Sequence, residues 1–307
     1  MAVESVAECP WNGWPNGHGI SGRMSVEFAV KQHYTGNRME CLFIHLLLCQ
    51  LKKWRGTLKH MMTISGLAAL VATTLPLSSF ASGLPSYAEL QAALRAVVAK
   101  ENGGFGFNMW ATVVDRDGVV KAVVFSGKER GDQWPGSRVI SAQKANTANA
   151  FSLPKFALST ANLFSAVQPG GSLFGLQFSN PVATEVAYRG PSEAIGTEQD
   201  PLVGNKLGGV NVFGGGLPLY DREGKLVGAI GVSGDSSCAD HNIAWKVRHQ
   251  LNLDQVPAGV TAAKDDNIIY DISNGVSASG WGHPACSAQA TEIAKTLPQT
   301  HPVGPKP

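Results

Sequence analysis

Apolar residues first recur at helical spacing in Leu90, Leu94, Val97 and Val98, a stripe that opens behind Ser86 and stops at Gly103-Gly104. A hydroxyl ahead of such a stripe can cap the unpaired N–H groups of a first turn, so the pattern predicts a helix. Asn108 to Val114 and Val119 to Phe125 are β-rich runs instead, and Asp115-Arg116-Asp117-Gly118 between them predicts a hairpin turn. A second helix is predicted over Ser141 to Ala150, with Pro154 against its continuation, and a short helical turn over Leu158 to Val167. Ser179 to Gly209 holds Pro, Gly and acidic residues with no period and is expected to be an excursion from the core. Val210 to Tyr220 and Lys225 to Val232 predict a second hairpin around Asp221-Arg222-Glu223-Gly224. A third helix should start near Ser236 or Ser237, with Ile243, Ala244, Val247 and Leu251 on its apolar face. Beyond Asp254 the pattern lapses: Asp265 to Gly282 reads as irregular, and the closing LPQTHPVGPKP as a loose Pro-rich tail. Hairpins in place of βαβ crossovers make the fold class α+β, an antiparallel sheet flanked by helices.

Charge divides the chain unevenly. The net charge is +2, yet the first sixty residues carry seven bases and three acids, which leaves −2 for the rest. The basic stretch LKKWRGTLKH runs into MMTISGLAALVATTLPLSSFAS, uncharged from Met61 to Ser82. A basic segment, an apolar run from Ile64 to Leu77 and small residues at Ser79 and Ala81 predict a signal peptide over residues 51–81, cleaved before Ser82. Retention as a membrane anchor is the alternative, weakened by Pro76 and the Ser/Thr content of the second half. Residues 1–50 show no period, and Leu51 as an alternative start would give an ordinary export signal. They are therefore expected to be an over-extended leader, with a genuine N-terminal extension as the alternative. The expected location is periplasmic or secreted, with no membrane contact after cleavage.

Of five cysteines, only Cys238 and Cys286 follow the expected cleavage site. In an oxidising compartment the pair reads as a disulfide, worth on the order of 4 kcal/mol by loop entropy. The flanks Cys238-Ala-Asp-His241 and His283-Pro-Ala-Cys286 also have the spacing of zinc ligand couples, which would need both thiolates free. No metal site is assigned.

Several strings carry a resemblance. Gly214-Gly215-Gly216-Leu217-Pro218-Leu219, a short acidic turn and Leu226-Val227-Gly228-Ala229-Ile230-Gly231-Val232-Ser233-Gly234 resemble the signature of the GlcG/HbpS-like haem-binding family. Ser141 to Phe151 resembles that family's Lys-Ala-x-Thr-Ala-x-x-Phe helix, and Gln168 to Gly175 its middle loop, so the likeness covers about Tyr87 to Leu251. It implies a profilin-like or PAS-like layer over residues 82–254 that assembles into homo-oligomers. Some secreted relatives bind haem or iron, whereas others sit in operons for small-acid or diol catabolism. The chain departs from short family members in the insertion at about 179–209, the Cys238/Cys286 pair and an irregular extension over 255–307.

A haem site needs an apolar slot, a cation for the propionates and an iron ligand. Lys144, Thr147 and Phe151, spaced i, i+3 and i+7, offer a cation, a hydroxyl and an aromatic on one helix face, with packing as the competing role. His241 reads either as a ligand pointing into a cleft or as a solvated histidine, and His283 as a ligand or a loop histidine. Met109 is a ligand type expected in the core, and Tyr188 is a further ligand type. The resemblance thus implies an exported oligomeric binding protein for haem or a related iron or tetrapyrrole ligand. One alternative is an enzyme acting on a small carboxylic or hydroxylated metabolite with Lys144, Thr147 and His241; another is an extracytoplasmic sensory module. The Gly-rich string lacks the Lys-Ser/Thr of a phosphate loop, and Gly231-Val-Ser233-Gly234-Asp235 fails the nucleophile-elbow pattern. No basic stripe with interleaved aromatics points to nucleic acid.

Overall fold

The computed structural model describes residues 83–304; the expected leader and signal peptide lie outside the described residues. Helix α1 spans Tyr87–Val98. Ser86 Oγ accepts from Glu89 N while the Glu89 carboxylate accepts from Ser86 N, so two end groups of the helix satisfy each other. Strands β1 (Trp110–Asp115) and β2 (Val120–Phe125) form the first hairpin, and β3 (Gly216–Tyr220) and β4 (Leu226–Ser233) the second. They make one sheet in the order β2-β1-β4-β3, every pair antiparallel. Helices α2 (Ser137–Phe151) and α3 (Ser237–Gln250) follow the two hairpins. The sheet flanked by helices is the α+β arrangement the hairpin pattern predicts.

Alternation along the strands sorts two cores. Ala111, Val113, Val124, Ile230 and Val232 meet Leu90, Leu94, Ile243 and Val247 of α1 and α3. On the opposite face, Trp110, Val123, Phe125 and Ala229 meet Ala142, Ala145 and Ala148 of α2. Glycine lets α2 lie this close: a Cβ on Gly231 would fall 1.9 Å from the Ser141 carbonyl oxygen, and one on Gly216 would fall 2.5 Å from the Lys144 carbonyl oxygen.

The structure departs from the sequence pattern in four places. Helix α2 begins at Ser137, ahead of the predicted Ser141, and buries Arg138 in its first turn. The second hairpin starts at Gly216, not Val210, because the preceding N–H groups find other partners. Asn211 N donates to Thr147 Oγ1, Phe213 N to Asn211 Oδ1 and Gly214 N to His283 Nε2. The segment 179–209, expected to leave the core, completes one. Ala187, Leu202 and Leu207 are buried against the α2 face of the sheet, and the buried ion pair of Arg138 with Asp200 pins the segment to α2. Finally, the closing stretch is no loose tail. Helix α4 (Ala288–Thr300) includes Pro298 and buries Ala290, Ala294 and Leu297. The Ala294 carbonyl, which Pro298 cannot serve with an N–H, accepts from Asn267 Nδ2 at 2.9 Å. Before it, two-residue strands β5 (Ile272–Ser273) and β6 (Val276–Ser277) pair in an otherwise irregular stretch.

Candidate functional site

Where the first turns of α2 and α3 approach the end of β4, a cleft of about 390 Å³ opens. That volume lies within the range of small-molecule pockets, roughly 300–1,000 Å³. Trp134 and Phe213, both about half exposed, stand on its walls with Ile140, and Lys144, Asp240, Asn211 and Asp235 supply polar lining.

Lys144 anchors the floor. Its register on α2 brings it over β4, where Nζ donates to Asp240 Oδ2 at 2.7 Å and to the Val232 carbonyl at 3.1 Å. An ammonium has three donors, and no described acceptor takes the third. Asp240 stands in the first turn of α3, which Ser236 caps by accepting from Ala239 N. Its other oxygen, Oδ1, accepts from Asp235 N at 3.0 Å. Burial pushes the Asp240 carboxyl up to about 6, against the opposing pull of the Lys144 ammonium. Asp235 in turn accepts from Phe105 N at 2.8 Å and Phe107 N at 3.3 Å, presenting a loop of exposed aromatics beside the cleft. Phe107 stacks edge-on to Trp134 with centroids 5.2 Å apart, which extends the wall outward.

The other residues expected from the sequence have different places. Thr147 Oγ1 donates to the Gln143 carbonyl and accepts from Asn211 N, so it holds the cleft wall from behind. Phe151 packs beside Leu158, Leu163 and Val212, away from the cleft. Met109 is buried in the opposite core, and Tyr188 is exposed outside the cleft. His241 is neither solvated nor turned into the cleft. It is wholly buried, with Nε2 3.1 Å from Asn267 Oδ1, and burial drives it down to about 3. His283 is buried against Phe164; Nδ1 donates to the Pro284 carbonyl, Nε2 accepts from Gly214 N, and burial pushes it down to about 4. Cys238 and Cys286 form a disulfide with Cα atoms 5.9 Å apart, so the zinc alternative has no free thiolates. Among the described residues no group of three or more His, Cys, Asp or Glu could hold a metal ion.

The cleft therefore combines aromatic walls with one unspent donor on a buried cation. The walls suit the faces of a planar macrocycle and the Lys144 donor suits a carboxylate, but no His, Met, Cys or Tyr lines the cleft to ligate iron. Asp235, Asp240, Trp134 and Phe213 escaped the sequence reading. Asp240 lies inside the Cys238-Ala-Asp-His241 string, in which only the cysteine and the histidine carry the zinc-ligand spacing.

An α+β domain with a small-molecule cleft at the helix ends is the class this geometry defines. Residues 86–248 match the family model described as "Haem degrading protein HbpS-like", and the chain belongs to that family. No curated protein matches it significantly. Similar solved structures include the following two. The Klebsiella pneumoniae protein ORFY is 25% identical, with 53% of this chain and 86% of that one covered and a TM-score of 0.36. A PduOC–heme complex is 24% identical, with 55% and 94% covered and a TM-score of 0.38. No described helix is long and apolar enough to cross a membrane.

Proposed function

We propose that this chain is an exported, homo-oligomeric binding protein that takes up haem or a related tetrapyrrole in the cleft between α2 and α3. Membership of the HbpS-like family carries this reading. The cleft supports it: Trp134 and Phe213 would cover the ring, and the free donor of Lys144 would meet a propionate. The Cys238–Cys286 disulfide supports an extracytoplasmic location, where such bonds persist. In this reading the α+β layer is of the profilin-like or PAS-like kind that assembles through its exposed surfaces. The enzyme alternative is left with Lys144 and Asp240, since Thr147 is committed to internal hydrogen bonds and His241 is wholly buried outside the cleft lining.

Titrating the purified chain with haemin while recording the visible spectrum tests the proposal. A saturable, shifted Soret band that weakens about tenfold in Phe213→Ala supports it. A spectrum of free haemin alone, or a band indifferent to Phe213 and Trp134 substitution, overturns it.

A further inference from the structure

The segment 283–286 of the extension touches the cleft on two sides. His283 Nε2 accepts from Gly214 N at 3.3 Å, and its ring lies 5.1 Å from that of Phe164, which lies 6.1 Å from Phe213 on the cleft wall. Three residues on, Cys286 Sγ lies 3.5 Å from the hydroxyl of Ser237, a residue of the cleft lining, and accepts from Cys238 N at 3.3 Å. Among the described residues no main-chain to main-chain hydrogen bond holds Ala285 or Cys286. The Cys238–Cys286 bond is therefore the tether that keeps this segment against the start of α3.

The two sulfurs differ in access. Cys238 is wholly buried with Ala161, Ile268, Ala290 and Ala294, whereas Cys286 is exposed. An incoming thiolate must reach one sulfur of a disulfide, so Cys286 is the one open to attack. Once freed, Cys286 Sγ would still face a backbone N–H and a hydroxyl at the first turn of the 14-residue α3, an end that favours negative charge. Cys238 would remain beside it as a small apolar group, placed to re-form the bond.

We propose that Cys286 is a thiol-exchange site for a low-molecular-weight thiol, and that opening the disulfide there loosens the cleft wall at Phe213. The thiolate RS⁻ attacks Cys286 Sγ and forms a mixed disulfide; the electron pair of the old S–S bond leaves on Cys238 Sγ, which takes a proton. Attack by the Cys238 thiolate on Cys286 Sγ reverses the step and expels RS⁻. A second RS⁻ attacking the sulfur of R instead gives RSSR and the Cys286 thiolate, so two thiols have supplied the two electrons that reduce the pair. The exchange needs no ligand in the cleft, whereas its effect on affinity rests on the haem-binding reading.

Incubating the full chain with reduced glutathione without oxygen, quenching with acid and mapping peptides by mass spectrometry tests the site. The adduct should fall on Cys286 at least about tenfold more often than on Cys238. After full reduction, iodoacetamide should alkylate Cys286 at least about tenfold faster than Cys238 in the folded protein, and the gap should vanish in urea. Amide hydrogen exchange over residues 210–216 should quicken about tenfold on opening, while the amides of β1 and β4 stay protected. Haemin affinity should fall about tenfold with it. Adducts shared equally by the two cysteines, equal alkylation in the folded state, or opening no faster than global unfolding overturns the exchange site. Unchanged exchange over 210–216 overturns the coupling to the cleft. Haemin that fails to bind even the oxidised chain, with the mapping and exchange results as expected, leaves this proposal standing and overturns the haem reading alone.

Discussion

Replacing Lys144 by Met should destabilise the protein in a pH-dependent way, and the structure sets both size and sign. Lys144 and Asp240 are each nearly fully buried and 2.7 Å apart. Removing one partner of a buried pair leaves the other uncompensated, at a cost of about 3–5 kcal/mol. For a domain of this size that lowers the melting temperature by roughly 10 °C. Asp240 can escape the penalty by taking a proton. Its folded-state value of about 6 already exceeds an ordinary carboxylate, so the native state holds a proton through a window where the unfolded state has released it. Stability contributed by this group therefore falls as pH rises from about 4 to about 6, by on the order of 3 kcal/mol. Without the Lys144 ammonium the window extends upward, so Lys144→Met should cost most at about pH 7.5 and markedly less at about pH 5. Asp240→Asn strands the ammonium instead, and its cost should not shrink on acidification; the double variant should recover part of the loss. Urea denaturation of the full chain at the two pH values measures all three. A Lys144→Met loss below about 1 kcal/mol at the higher pH, or an equal loss at both, would refute the reasoning.

The disulfide closes 48 residues, and Cys286→Ala should cost on the order of 4 kcal/mol, read as a lower melting temperature that a reducing agent reproduces in the wild type. Gly231→Ala places a methyl against the Ser141 carbonyl and should cost about 1–3 kcal/mol in denaturant midpoint; an unchanged midpoint would mean α2 lies farther from β4. His241 and His283 have folded values below an ordinary histidine, so unfolding takes up protons and their stability contribution is lost as pH falls from about 6.5 toward 4. His241→Gln should make the acid limb of a stability–pH curve shallower, and an unaltered limb would contradict the burial of the neutral ring.

The secondary elements nearest the sheet were legible because one local signal sufficed for each. Ser86 and Ser236 announced helix starts, Gly118 and Gly224 announced turns, and strand alternation assigned the faces. What failed depended on partners far away in sequence. Val210 to Gly215 has strand composition, but its donors are claimed by Thr147 and His283, 60 to 70 residues distant. The segment 179–209 lacks a period because its three buried apolar residues are scattered and its tether, Asp200, pairs with an arginine on another element.

The same long-range packing accounts for the histidines. A His at the start of a helix and another beside Trp281 can be ranked as ligands only if their surroundings are known, and here residues beyond 254 supply those surroundings. Asn267 takes Nε2 of His241, and its own amide donates to the α4 carbonyl at Ala294. The disulfide fixes this segment to the first turn of α3, two residues from Asp240. The extension therefore converts two candidate ligands into core and leaves the buried Lys144–Asp240 pair and the aromatic walls as the lining of the cleft. A ligand held there would meet the aromatic walls and Lys144, because both imidazoles are buried outside the cleft lining.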